Sequence, residues 1–201
     1  MLKVGLTGGL ACGKTFVGQA LADLGCHLIE ADQLGHEVLL PGGEAYADVV
    51  REFGRGILNP DGTIDRKRLA AEVFGQPERL AALNQLVHPH VFERERNLID
   101  QFAKTDPRGI VVVEAAILIE TGNYKNFDCL ILVECDEEQQ IERAMKRDHT
   151  DREEVQSRLR RQMPLAEKRK FAQYVIDTSG TKEDTLRRVR EVHGALRRIE
   201  A

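Results

Sequence analysis

Gly8-Gly9-Leu10-Ala11-Cys12-Gly13-Lys14-Thr15 is the stretch whose reading decides the fold of this chain. It matches G-x-x-x-x-G-K-[ST] at every fixed position. Glycines in such a string let the backbone curl, so that successive N–H groups point inward at phosphate oxygens. The helix expected to begin at Gly13 adds the positive end of its dipole. Lys14 is then placed to reach the β- and γ-phosphates of a nucleotide, and the Thr15 hydroxyl to bind Mg2+. The flanks agree with this reading. Residues 2–6 form a short apolar strand, and residues 14–24 carry Val17, Ala20, Leu21 and Leu24 on one helical face. Gly25 suits the position just past a helix end, and residues 26–30 read as a second strand. Strand, glycine turn, helix and strand in about thirty residues make a βαβ unit.

Outward from this unit the texture changes. Residues 33–104 show helical patterns broken at Pro41-Gly42-Gly43 and at Asn59-Pro60-Asp61-Gly62. Leu69 and Val73, then Leu80, Leu83 and Val87, supply helical stripes, and His88 before Pro89 reads as a possible helix end. Residues 109–114 and 129–135 are continuous apolar runs, the pattern of strands buried on both faces. Asp136 with Gln139, Thr150 with Glu153 and Thr181 with Asp184 have the spacing of capping boxes that open helices. Residues 174–177 form a last short strand, and the final helix has the stripe Leu186, Val189, Val192, Leu196 and Ile199. Five strands joined by helices predict a parallel, three-layer α/β sheet.

Composition bounds the possibilities. The chain has 201 residues, 42% hydrophobic and 31% charged, as an ordinary globular protein does. Aromatics are 5% with no Trp, so the core must rest on Leu, Val, Ile and Ala. No apolar run approaches the ~20 residues of a membrane span. The start, Met1-Leu2-Lys3-Val4-Gly5, lacks the pattern of a signal peptide, so a cytoplasmic location is expected. Cys12, Cys26, Cys129 and Cys135 include no C-x-x-C pair, so reduced, buried thiols are expected and zinc has no ligand set.

The net charge of −4 gives no reason to expect nucleic acid. Its distribution is uneven: residues 139–170 hold ten Lys and Arg against six Asp and Glu. Such a segment is a solvated helix face or a lid over phosphates.

Two strings imitate a GTPase. Thr181-Lys182-Glu183-Asp184 resembles the guanine-reading [NT]KxD, and Asp32-Gln33-Leu34-Gly35 the switch DxxG. Residues 16–31 contain no Thr or Ser to serve as a switch hydroxyl, and a capping box explains the first string. Kinase chemistry fits better. Phosphoryl transfer needs positioning, charge neutralisation and an acid where the acceptor hydroxyl lies. Asp32 stands just past the second strand, on the sheet edge where ligands bind in open α/β folds, although a helix N-cap would equally explain it. Arg143 and Arg147, four apart on one predicted helix, share a face that either converges on phosphate or bridges Glu142 and Asp148. Glu114 closes the third strand as a Walker B acid would, or as a hydrogen-bonding group.

The ordered set of these motifs resembles the dephospho-CoA kinase family over nearly the whole chain. The resemblance rests on Gly5-Leu6-Thr7-Gly8-Gly9 through Lys14-Thr15, Glu30-Ala31-Asp32, Pro41-Gly42, and Asn59-Pro60-Asp61-Gly62 with Ile64-Asp65-Arg66. His88-Pro89-His90-Val91, Leu118-Ile119-Glu120, Arg143, Arg147-Asp148, Gln162-Met163-Pro164, Lys168-Arg169 and residues 176–180 continue it in order. It implies a P-loop kinase fold with a five-stranded parallel sheet, a helical substrate-binding insertion and a helical lid. The implied parts are a nucleotide core (1–32, 106–138 and 171–201), a domain for the CoA precursor (33–105) and a lid (139–170).

The implied reaction moves the γ-phosphoryl of ATP, with Mg2+, onto the ribose 3′-hydroxyl of dephospho-CoA. Asp32 would be the base, and Lys14 and Arg147 would neutralise charge. Residues 8–15, Arg143 and Gly180 would hold the nucleotide, and Asp32, His88, Leu118 and Glu120 the substrate. Thr15 and Glu114 would hold the metal, with Glu30 and Asp32 as alternative carboxylates. No nucleic-acid or membrane partner is implied, and a monomer or weak homo-oligomer is expected. The departures are Glu30 for the family's usual Asp, Ala116 for a common Pro, which would leave its loop less constrained, and Thr178 for a common Asn.

Overall fold

The computed structural model describes residues 1–200. In chain order its elements are β1 (Leu2–Gly8), α1 (Lys14–Asp23), β2 (His27–Glu30), α2 (Ala31–Glu37), α3 (Tyr46–Phe53), α4 (Arg66–Val73), α5 (Pro77–Thr105) and β3 (Ile110–Glu114). There follow β4 (Cys129–Glu134), α6 (Glu137–Asp148), α7 (Arg152–Leu159), α8 (Leu165–Lys168), β5 (Tyr174–Asp177) and α9 (Lys182–Glu200). The chain divides into two units: residues 1–30 with 101 onward, and residues 31–100.

The first unit is built on a parallel sheet in the order β2-β3-β1-β4-β5. β1 is central, paired with β3 on one side and β4 on the other. Strand order reverses around it, so the loop after β1 opens at the switch point where such sheets bind ligands. The side-chain period of two explains why these strands are apolar throughout. Leu2, Val4 and Leu6 of β1, with Ile110, Val112, Ile131 and Val133, pack against Val17 and Leu21 of α1 and Val189, Val192 and Leu196 of α9. Val111 and Val113, alternating with them, are also fully buried. Each such side chain stabilises the fold by roughly 1.5–3 kcal/mol relative to exposure. Three layers and a five-stranded parallel sheet are present as expected.

Helix ends test the capping readings one by one. Thr181 and Asp184 form a reciprocal box: Asp184 N–H donates to Thr181 Oγ1 at 3.1 Å, and Thr181 N–H to Asp184 Oδ2 at 3.3 Å. The guanine-like string is therefore a cap. Gly25 has φ +93° and donates to Ala22 O, as the end of α1 requires.

The other two boxes are corrected. Asp136 is the N-cap of α6 without a side-chain cap bond; Ser179 Oγ accepts its N–H, and Gln139 Nε2 donates to Ser179 O. The α7 cap is Asp151, which accepts from Glu154 N–H at 2.9 Å, while Thr150 bonds the Glu154 carboxylate. Ile199 is also corrected: it is 55% exposed, three residues past the fully buried Leu196.

The second unit is helical, with one isolated bridge, Leu58 to Ile64. Its break at residues 59–62 is a tight turn in which Gly62 has φ +85°. His88 does not end a helix, because α5 continues through Pro89. Pro89 there removes the N–H that would bond the carbonyl four residues back and crowds that carbonyl, a cost a 29-residue helix absorbs. Among the described residues, no helix is long and apolar enough to cross a membrane.

Candidate active site

The turn from β1 to α1 is shaped by what cannot fit. A Cβ on Gly8 would lie 2.2 Å from Val133 O, so only glycine lets β1 end this close to β4. Gly13, the N-cap of α1, has φ +82°, and Ala11 is also left-handed at φ +55°. A non-glycine residue there stores roughly 1–2 kcal/mol of strain. The surroundings that hold this loop are specific. Thr178 Oγ1 donates to Cys12 O at 2.8 Å, and Leu10 N–H donates to Gln162 Oε1 at 3.1 Å. Lys14 Nζ lies 3.1 Å from Gly9 O, curled over the turn.

Thr15, in the first turn of α1, donates its hydroxyl to Glu114 Oε1 at 2.9 Å. Glu114 is the buried last residue of β3, and Glu30 is its register partner across β2. The loop, α1 and the end of β3 thus bring a lysine, a hydroxyl and a carboxylate to one place. Among the described residues, no cluster of three His, Cys, Asp or Glu forms a protein-only metal cage.

A cavity of about 600 Å3 adjoins the loop, lined by Gly9, Cys135, Gln140, Leu159, Gln162 and Met163 among others. Arg143 and Arg147 share α6 but diverge in their partners. Arg143 donates to Thr178 Oγ1 at 3.1 Å and to Thr178 O at 2.8 Å, so it braces the residue that braces Cys12. Arg147 forks onto Asp148 at 2.7 and 3.0 Å, and Arg158 reaches the same carboxylate at 2.5 Å. The Arg147 guanidinium, with Arg158, holds the Asp148 carboxyl well below the usual range.

Gly180 lies exposed between β5 and α9. The Leu118 side chain is 2% exposed, buried beside Gly5, so the interior and not a ligand surface receives it. Glu120 pairs with Lys168 at 2.8 Å and accepts Met163 N–H at 3.3 Å. Ala116 does not leave its loop slack, because its carbonyl takes Thr7 Oγ1 at 3.3 Å and Lys168 Nζ at 3.1 Å. Asp32 and His88 belong to the second unit. Asp32 is exposed inside the first turn of α2, not at its N-cap. His88 packs on Phe92 with ring centroids 5.7 Å apart, and burial draws its pKa down.

Sequence reasoning did not find the roles of Gln162, Thr178 and Lys168. Gln162 and Lys168 stood in quoted motifs, but nothing local marks a buried ammonium or an amide aimed at a loop.

Comparison with known proteins places this arrangement. The family model for dephospho-CoA kinase matches residues 2–184. The dephospho-CoA kinase of Aquifex aeolicus is 39% identical over 198 residues, covering 98% of this chain and 99% of that one. The dephospho-CoA kinase domain-containing protein of Danio rerio is 38% identical, over 98% of this chain and 86% of that one. Among solved structures, a Thermus thermophilus protein superposes with a TM-score of 0.84 at 31% identity, covering 96% of each chain. The dephospho-CoA kinase from Campylobacter jejuni does so at 0.70 and 25% identity, over 99% and 98%. On the family match and these full-length relatives, the chain belongs to the dephospho-CoA kinase family.

Proposed function

We propose that this chain transfers the γ-phosphoryl group of ATP to the ribose 3′-hydroxyl of dephospho-CoA, giving ADP and CoA. The observation that carries the reading is the complete phosphate loop, with Lys14 over the turn and Thr15 against Glu114, in a chain of this family. The bond from the γ-phosphorus to the bridging oxygen of ADP breaks as the 3′-oxygen bonds to phosphorus. Asp32, two residues past β2, takes the hydroxyl proton. Lys14 and Arg147 offset the charge on the transferring oxygens, Arg147 after exchanging Asp148 for phosphate.

Mg2+ suits the oxygens present. It keeps several waters and takes one or two protein oxygens with substrate phosphates. Thr15 Oγ1 would bind it and Glu114 would orient its shell, and when bound it would supply neutralisation of phosphate charge. Residues 8–15, Arg143 and Gly180 serve the nucleotide, and residues 139–170 act as the lid. Residues 33–105, with His88, serve the acceptor. Leu118 contributes through backbone, and Glu120 by holding the 163–168 segment. The setting is cytoplasmic.

The test is ADP release from Mg·ATP with and without dephospho-CoA, with mass spectrometry of the product. ADP release dependent on dephospho-CoA, with a product one phosphate heavier, establishes the reaction. ATP binding without that product retains the loop and discards the acceptor.

A further inference from the structure

The sulfurs of Cys12 and Cys135 lie 3.4 Å apart, although 123 positions separate them in sequence. Cys12 is the loop residue before Gly13, and Cys135 directly follows β4. The separation is non-bonded contact, since a disulfide holds sulfurs at about 2.05 Å. Both thiols are free and buried, but Cys135 lines the cavity of about 600 Å3 beside the loop. Cys135 is thus the member of the pair that borders the cavity. The hydrogen bond shared with Cys12, and then the charge of Arg143, draw the Cys135 pKa down against the effect of burial. The same hydrogen bond, with burial, pushes Cys12 up, so the pair ionises at Cys135. A thiolate with access, next to a second thiol, is the arrangement of an oxidation-sensitive pair.

We propose that Cys12 and Cys135 form a reversible disulfide on exposure to a hydroperoxide, and that this bond disables the phosphate loop. The Cys135 thiolate attacks the peroxide: an S–O bond forms, the O–O bond breaks, and an alkoxide or hydroxide leaves with the electron pair. Cys12 then attacks the Cys135 sulfenic acid, the S–O bond breaks, and water leaves with the Cys12 proton. Two thiols lose two electrons, and the peroxide becomes an alcohol or water.

Closing 3.4 Å to bonding distance brings the two sulfurs together by more than about 1 Å and pulls on the loop at Cys12. At the loop end of the pair Thr178 holds Cys12 O at 2.8 Å, so a shift there works against that bond. A misplacement of about 1 Å near the chemistry costs on the order of 10²-fold. The disabling effect rests on reading residues 8–15 as the ATP phosphate loop; the disulfide itself does not.

The experiment treats the full chain with hydrogen peroxide, alkylates remaining thiols, maps peptides and measures ATP binding by calorimetry. Two of the four thiols should disappear into one Cys12–Cys135 peptide, while Cys26 and Cys129, pushed up to about 11 by burial, stay alkylatable. ATP affinity should fall by roughly 10–100-fold, the worth of a lost hydrogen bond to charged phosphate, and return with dithiothreitol. Cys135→Ser should keep its own untreated affinity through the same exposure. Cys12→Ser should accumulate a dimedone-reactive Cys135. A peroxide-treated chain with no Cys12–Cys135 peptide overturns the proposal, as does a linked peptide with unchanged ATP affinity. The wild-type map decides the matter even where a serine variant does not fold. An untreated chain that binds no ATP refutes the functional reading instead, while the map still decides the pair.

Discussion

The Lys168 ammonium lies 2.8 Å from Glu120 Oε1, and the Lys168 side chain is wholly shielded from solvent. It ends α8 and also donates to Ala116 O at 3.1 Å, so one cation ties two parts of the 116–120 loop to the 163–168 segment. Removing one partner of a buried ion pair leaves the other charge without compensation, at a cost of about 3–5 kcal/mol. Glu120→Gln, which leaves the buried ammonium without its counter-charge, should therefore lower the melting temperature by on the order of 10 °C. Lys168→Met, which leaves Glu120 in reach of water, should cost less, and the double variant less than the two losses combined. Thermal denaturation of the three variants checks this; a loss under about 1 kcal/mol for Glu120→Gln would show the pair to be idle.

Thr178 is a joint between three segments. Its hydroxyl donates to Cys12 O and accepts from Arg143, whose other amine meets Thr178 O. Thr178→Val keeps the shape and removes the hydroxyl, leaving the Cys12 carbonyl without that donor. We expect a stability loss of roughly 1–3 kcal/mol together with weaker ATP binding, both recovered in Thr178→Ser. Calorimetry on the two variants separates the outcomes. Equal ATP affinity in Thr178→Val and wild type would remove Thr178 from any role in holding the loop.

Asp32 is exposed and makes no cap to α2, so its replacement should not disturb the fold. Asp32→Asn should cut turnover by roughly 10²–10⁴-fold while ATP binding stays nearly intact. Single-turnover rates with saturating ATP measure this directly, and full activity would mean that another group takes the proton.

Glu114 meets the Thr15 hydroxyl at 2.9 Å from a buried position. Glu114→Gln should raise the Mg2+ concentration needed for half-maximal activity by about 10–100-fold, as loss of an orienting group does. A titration of activity against Mg2+ at fixed ATP tests it; an unchanged midpoint would exclude Glu114 from the metal's surroundings.

Glu95, on α5, is only 8% exposed, and burial raises its pKa from 4.5 to about 7. Its folded form prefers the proton, so stability is highest below the ordinary carboxylate range. It falls as pH rises between about 4.5 and 7 and is level above. The full penalty is about 3 kcal/mol. Glu95→Gln should thus raise the melting temperature at pH 8 and change it little at pH 4.5. Melts across that window check the sign; an equal shift at both ends would contradict it.

Legibility followed the range of the forces. The glycine string, the βαβ unit and the runs at 109–114 and 129–135 reflect rules acting over a few residues, and the sheet appears where they place it. Asp136 and Thr150 show the limit of such rules. Each has the spacing of a capping box, but Ser179 and Asp151 supply better-placed oxygens. Pro89 is similar, because the rest of a long helix outweighs one missing bond.

By itself the sequence determined the phosphate loop, the parallel sheet under it and the family to which the chain belongs. Only the tertiary structure decided which polar groups of residues 139–170 are buried and what they hold. Gln162 reaches Leu10 across 152 positions, Cys135 reaches Cys12 across 123, and Lys168 reaches Ala116 across 52. A basic segment looks alike whether its charges face water or are buried against a carboxylate. Desolvation and pairing, which separate these cases, exist only once distant strands and helices have come together.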